Sequence, residues 1–254
     1  VLIAITREVS PAITQCELTH LERVPIDYEN ARSQHAEYMA ALRRLGLQVH
    51  SLPAEPDLPD SVFVEDTAIV LDECAVITRP GADSRKPEIE SIARALAPHR
   101  TLFHIQAPAT LDGGDVLRLD KTLYVGLSSR TNQEGVDQLR GFLEPFGYSV
   151  EGASVTGCLH LKTAITHVGA DTLLVNPAMI GKDGFPGWNF IEVDPAEPFA
   201  ANALLVGDRL VYPSAYPLTQ ARLEAGGIQL ILVDASELAK AEGGVTCCSL
   251  IFES

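Results

Sequence analysis

A thiol, an imidazole and several carboxylates, far apart along the chain, are the groups that nucleophilic and acid-base chemistry would use. Cys247 lies in Gly243-Gly244-Val245-Thr246-Cys247-Cys248-Ser249-Leu250, His160 in Leu159-His160-Leu161-Lys162, and the carboxylates in Glu65-Asp66 and Asp112-Gly113-Gly114-Asp115. Each alone has a plainer reading, because free cysteine is a common core residue, Asp caps turns, and a lone histidine is often a satisfied interior group. The run opened by two glycines reads as a buried strand behind a tight bend. Neighbours on a strand point to opposite faces, so only one of its two cysteines would face a given cavity.

Whether these groups meet depends on the elements that carry them. Ser61–Leu71 and Ala75–Arg79 read as strands separated by a hairpin-sized gap. The same figure recurs with Asp115–Leu119 and Thr122–Leu127, Leu161–His167 and Thr172–Val175, and Ala201–Val206 and Leu210–Pro213. A helical stretch and a further strand follow most hairpins: Glu88–Pro98 leads to Thr101–Ile105, Gln133–Phe146 to Ser149–Val155, and Thr219–Ala225 to Ile228–Val233. In the third unit the glycine- and proline-rich Gly181–Gly187 replaces the helix before Asn189–Val193. Leu2–Thr6, the helix-like Asn30–Leu45 and Gln48–Leu52 would make a fifth unit if joined to Val245–Phe252.

This pattern predicts a five-bladed pseudosymmetric α/β propeller of ββαβ units over residues 1–254, closed by pairing the first and last strands. The competing architecture is an ordinary open α/β sheet. In a ring, Glu65-Asp66, Asp112 to Asp115, His160, Asn202 and Cys247 stand at equivalent positions, where each hairpin begins. They would converge on the axis in one pocket.

Composition narrows the class. The net charge is −15, which disfavours nucleic acid and anionic lipid and favours a small cationic substrate. Apolar runs are strand-sized, and the start of the chain has no basic leader, so the expectation is a soluble protein. Cys16, Cys74, Cys158, Cys247 and Cys248 are scattered, without C-x-x-C spacing. Free thiols in a reducing cytoplasm are expected, with no zinc site.

Ser61-Val62-Phe63-Val64-Glu65-Asp66, Ile77-Thr78-Arg79-Pro80-Gly81-Ala82, Thr110-Leu111-Asp112-Gly113-Gly114-Asp115-Val116, Gly126-Leu127-Ser128-Ser129-Arg130-Thr131-Asn132, Leu159-His160-Leu161-Lys162, Ala200-Ala201-Asn202 and Thr246-Cys247-Cys248-Ser249 resemble the dimethylarginine dimethylaminohydrolases. These belong to the guanidino-group-modifying superfamily of five-bladed propellers, and the resemblance runs from about Leu18 to Leu250. It implies hydrolysis of Nω-methylated arginines to citrulline and an alkylamine, through a covalent Cys thiouronium and without a cofactor. Cys247 would be the nucleophile, His160 the general acid and then base, and Asp112 the carboxylate orienting it.

By the same resemblance Asp60, Glu65 and Asp66 form the acidic wall for the guanidinium, and Arg85 and Arg130 clamp the α-carboxylate. Leu18, in the irregular segment Ala12–Pro25, belongs to a mobile lid, while Ala241 contributes its backbone carbonyl. Cys248 should face away from the pocket, and Lys162 receives no role. Propeller edges can pair between protomers, so a homodimer is one expectation. Two other functions fit the same chain: a relative acting on arginine or citrulline, and a catalytically silent propeller used as a binding module.

Overall fold

In the computed structural model, which describes residues 1–254, each repeat of the pattern builds a separate three-stranded sheet. Ala68–Val70 pairs antiparallel with Cys74–Ile77, which pairs parallel with Thr101–His104 after the helix Ile89–Leu96. The next blade joins Val116–Leu119, Thr122–Leu127 and Ser149–Ser154 around the helix Gln133–Leu143. Ile165–Gly169, Thr172–Val175 and Asn189–Glu192 follow, with only the short 3₁₀ turn Lys182–Gly184 in the crossover. Leu204–Val206, Arg209–Pro213 and Gln229–Val233 complete the set around the helix Pro217–Ala225.

Both ends of the chain make the remaining blade. Leu250–Glu253 runs antiparallel to Leu2–Arg7, with Leu2 opposite Glu253 and Ile5 opposite Leu250. Leu2–Arg7 then pairs parallel with Gln48–Leu52 after the helix Tyr28–Arg44. The expected five-bladed α/β propeller and its closure by the terminal strands are therefore present. Side-chain caps start the two longest crossover helices: Asp27 accepts the N–H of Asn30, and Asn132 that of Gly135, both at 3.0 Å. No helix is long and apolar enough to cross a membrane.

The ladders stop between blades, apart from a single bridge between Arg79 and Leu111. Around the axis, side chains complete the circle instead. Asp66 Oδ1 accepts the Gly114 N–H at 2.9 Å, Asp115 Oδ1 accepts the Leu161 N–H at 2.9 Å, and Asn202 Nδ2 donates to the Lys162 carbonyl at 3.2 Å. Asn202 also receives the Thr246 N–H, and the Thr246 hydroxyl donates to Glu65 at 2.8 Å, which returns the circuit to its start. Every residue predicted to stand where a hairpin begins takes part, through itself or a neighbour.

One expectation needs correction in all five blades. The lead-in to each hairpin is a turn: Val64–Thr67 and Gly113–Asp115 are 3₁₀ turns, Leu161–Ala164 is a helical turn, and the strand after Asn202 begins only at Leu204. Likewise Val245 to Cys248 form a turn before the strand Leu250–Glu253. A strand at this radius would need a ladder partner. A turn sends its N–H and C=O groups to side chains of the next blade, which is the circuit just described. Cys247 and Cys248 consequently do not alternate on a strand, and both are buried.

Candidate active site

A small cavity at the axis brings Cys247, His160, Asp66, Asp60, Arg85 and Arg130 together, with Ala241 on its wall. It is closed down to about 10 Å³, the room of one water. Cys248 is not on its wall; the Cys248 sulfur lies 3.5 Å from the Gly244 carbonyl.

Asp112 fixes the imidazole. Its Oδ2 is 3.0 Å from His160 Nε2, and its Oδ1 accepts the Gly81 N–H at 2.8 Å. That leaves Nδ1, 3.8 Å from Asp66 Oδ1, as the ring nitrogen free for chemistry. Burial opposes a charge on His160, but Asp66, Asp112 and Asp115 outweigh it and lift its pKa to about 9. For Asp66 the burial penalty is overcome by His160 and Arg85, so its carboxyl stays ionised. At neutral pH the site thus holds an imidazolium beside carboxylates. The Cys247 thiol is pushed up to about 12, by burial first and then by Glu65 and Asp66. Against this, the Gly244 N–H donates to Sγ at 3.3 Å. The thiol is therefore protonated at rest and needs an incoming cation to ionise.

Close approach explains two glycines. A Cβ on Gly114 would sit 2.6 Å from both Asp66 Oδ1 and His160 Nδ1, and one on Gly244 2.3 Å from Asn202 Oδ1. Gly114→Ala is expected to displace the imidazole, cutting turnover by about 10²-fold and costing about 1–3 kcal/mol of stability. Steady-state kinetics and thermal unfolding measure both, and unchanged kinetics would place His160 elsewhere.

The two arginines differ. The Arg85 guanidinium is saturated on most sides by Glu88, Asp66 and the carbonyls of Asp60 and Phe63. Arg130 is buried, has no carboxylate partner, and gives its only side-chain hydrogen bond to the Thr19 hydroxyl at 3.1 Å. Of the two, only the Arg130 guanidinium is left without an anionic partner. Asp60 Oδ2 accepts the Glu17 N–H at 3.0 Å, and the Ala241 carbonyl accepts no hydrogen bond.

Glu65 is not on the wall of this cavity. It lines a separate cavity of about 340 Å³, where Lys162 Nζ meets it at 2.5 Å. As the partner of Lys162 and Thr246 it is committed to the circuit rather than free for a cation. Leu18 is half-buried against the core of the terminal blade and lines neither neighbouring cavity, although its segment contributes Glu17 to the small one. Sequence reasoning passed over Lys162 and the holding role of Asp115, which takes the Ser128 and Thr131 hydroxyls at 2.6 Å each. The only signal for either was a place beside a predicted site residue. Asp66, Asp112 and His160 also present ligand atoms within 4.8 Å of one another. Both carboxylates also accept hydrogen bonds, Asp66 from Arg85 and the Gly114 N–H and Asp112 from the Gly81 N–H.

A family model described as "N,N dimethylarginine dimethylhydrolase, eukaryotic" matches residues 15–184. The chain is 38% identical over 229 residues to the N(G),N(G)-dimethylarginine dimethylaminohydrolase of Pseudomonas aeruginosa, covering 89% of this chain and 90% of that one. It is 39% identical over 249 residues to the protein of the same name from Streptomyces coelicolor, covering 97% and 95%. Among solved structures, the Pseudomonas aeruginosa protein, as a cysteine-to-serine mutant complexed with citrulline, superposes with a TM-score of 0.94 at 35% identity over 98% of both chains.

Proposed function

Because the chain belongs to the dimethylarginine dimethylaminohydrolase family, we propose that it hydrolyses Nω-methylated arginines to citrulline and methylamine or dimethylamine. What carries this reading is the distribution of charge in the small cavity. Asp66, already bonded to Arg85, and Asp60 give the cavity its carboxylate charge, and Arg130, lacking any carboxylate, is left to meet the α-carboxylate of the same molecule.

The chemistry follows from the resting protonation states. The guanidinium brings positive charge next to a protonated thiol, and Cys247 Sγ releases its proton to solvent as it attacks the central carbon, whose C=N π electrons move onto nitrogen to give a neutral tetrahedral adduct. Collapse of that adduct expels the alkylamine, which takes the proton from His160 Nδ1. The product is a Cys247 thiouronium and a neutral imidazole. That imidazole then removes a proton from water, whose oxygen adds to the same carbon; as the C–S bond breaks, the hydroxyl proton passes to the departing sulfur, the C=O of citrulline forms, and both the Cys247 thiol and the imidazolium are restored. Asp112 keeps the ring oriented through both halves.

Incubation with asymmetric dimethylarginine, with product analysis, tests the proposal: dimethylamine and citrulline should form in equal amounts. Ammonia from arginine or from citrulline, without amine from dimethylarginine, would assign a related guanidino or ureido hydrolase instead. No turnover of any of these would leave a binding propeller. All five cysteines are buried and unpaired, and on that ground a reducing, cytoplasmic location is proposed.

A further inference from the structure

Glu242 stands between Ala241 and the Gly243-Gly244 bend whose N–H meets the Cys247 sulfur. Its backbone φ of 59° lies in the left-handed region, which a non-glycine residue seldom occupies without a reason. Here the reason is where it sends the side chain. Oε1 accepts the N–H of His20 and of Leu21 at 2.6 Å each, and both oxygens accept that of Thr19 at 3.1 Å. These three consecutive N–H groups have no other acceptor. One carboxylate thus holds a whole turn of irregular chain across more than two hundred residues of sequence.

Three further bonds hold the same segment. Glu17 N–H donates to Asp60, Arg130 donates to the Thr19 hydroxyl, and the Ser84 hydroxyl donates to the Glu17 carboxylate at 2.5 Å. The first two use groups that an amino-acid substrate would need, so an incoming substrate competes with them. The bonds to Glu242 involve neither Asp60 nor Arg130.

Glu242 also lies on two walls at once. It borders the small cavity that holds His160 and Cys247, and, with His20 and Leu21, a larger, mainly apolar cavity of about 420 Å³ on the other side of Cys247. Val24 and Phe199, both exposed, also line this larger cavity.

We propose that Glu242 is the latch holding residues 17–21 shut over the reaction cavity, and that its release joins that cavity to the larger one, the vestibule through which substrate enters. It is a positioning residue and touches no reacting atom. The kinetic part of this inference rests on the proposed function, whereas the latch itself does not.

Amide hydrogen exchange on the full, substrate-free chain tests the latch, comparing the native protein with Glu242→Gln, Glu242→Ala and Glu242→Asp. Neither Gln nor Ala adds backbone strain, since Glu is already a side-chain-bearing residue at that φ. In Gln and Ala the amides of Thr19, His20 and Leu21 should exchange at least about tenfold faster, while Asp should restore part of the protection. With asymmetric dimethylarginine, KM should rise about tenfold and kcat change by less than about threefold, because a loosened lid releases substrate without altering the reacting groups. Unchanged exchange at those three amides overturns the latch whatever the activity. Faster exchange with an unaltered KM overturns its part in admitting substrate. Should the native protein turn over no guanidino compound, the proposed function fails and the exchange result still decides the latch.

Discussion

Cys247→Ser is expected to lower turnover of asymmetric dimethylarginine by about 10⁴-fold or more while leaving the fold intact. The structural roles of residue 247 belong to its backbone, whose carbonyl accepts the Glu65 N–H at 3.1 Å and whose N–H donates to Gly244. A hydroxyl can accept from Gly244 as the sulfur does, but it does not become an anion at accessible pH when a guanidinium arrives. Cys248→Ser, one residue on, should keep most activity. Its sulfur points to the Gly244 carbonyl and is not on the wall of the reaction cavity, so the change costs about 1–2 kcal/mol of stability through a buried hydroxyl. Initial rates and thermal unfolding of the two variants, side by side, decide the point. Equal losses of activity from both would remove Cys247 as nucleophile.

The second large effect concerns His160. With asymmetric dimethylarginine, His160→Ala should lose about 10²- to 10⁴-fold in rate, because an alkylamine cannot leave without a proton. A substrate whose leaving group needs none behaves differently. S-Methyl-thiocitrulline expels a thiolate, so attack by Cys247 should continue, and the thiouronium should accumulate for want of a base to activate water. Intact-mass analysis would show the adduct on the variant but not on the native protein. The pH profile supplies an independent reading. The imidazole is raised to about 9 by the surrounding carboxylates acting against burial. The protonated acid is therefore present below that value, and kcat/KM of the native protein should fall as pH rises through it. His160→Ala should lack this limb. If the variant forms no adduct and keeps the limb, the acid lies elsewhere.

The topology was legible because it is written as repetition. Hairpins whose central strands are almost wholly buried, such as Cys74–Ile77, alternate with crossovers, and the two unpaired ends complete the count. What could not be read was the conformation of the site itself. Ser61 to Val64 and Val245 to Leu250 are continuously buried, so their apolar runs carry no period with which to tell a helical turn from a strand. The functional residues sit in those turns, where tertiary hydrogen bonds decide the backbone. The commitment of Glu65 to Lys162 was hidden for a related reason. It joins residues 97 apart in sequence, and no local property of either marks the other as its partner. Arg85 and Arg130 looked alike in sequence, and only the carboxylates around the first separate a filled arginine from a free one. Glu242 was invisible altogether, since its three partners are backbone groups and leave no trace in residue types.

The terminal blade has a bearing on how this protein comes into being. The ribosome makes the imidazole, the carboxylate bonded to it and the Arg130 guanidinium before it makes the sulfur, which arrives just ahead of the strand that must find Leu2–Arg7 from the other side of the sequence. The strands of four blades are all synthesised before Cys247. The reaction cavity therefore gains its thiol only with the last segment, whose most distant pairing sets it in place.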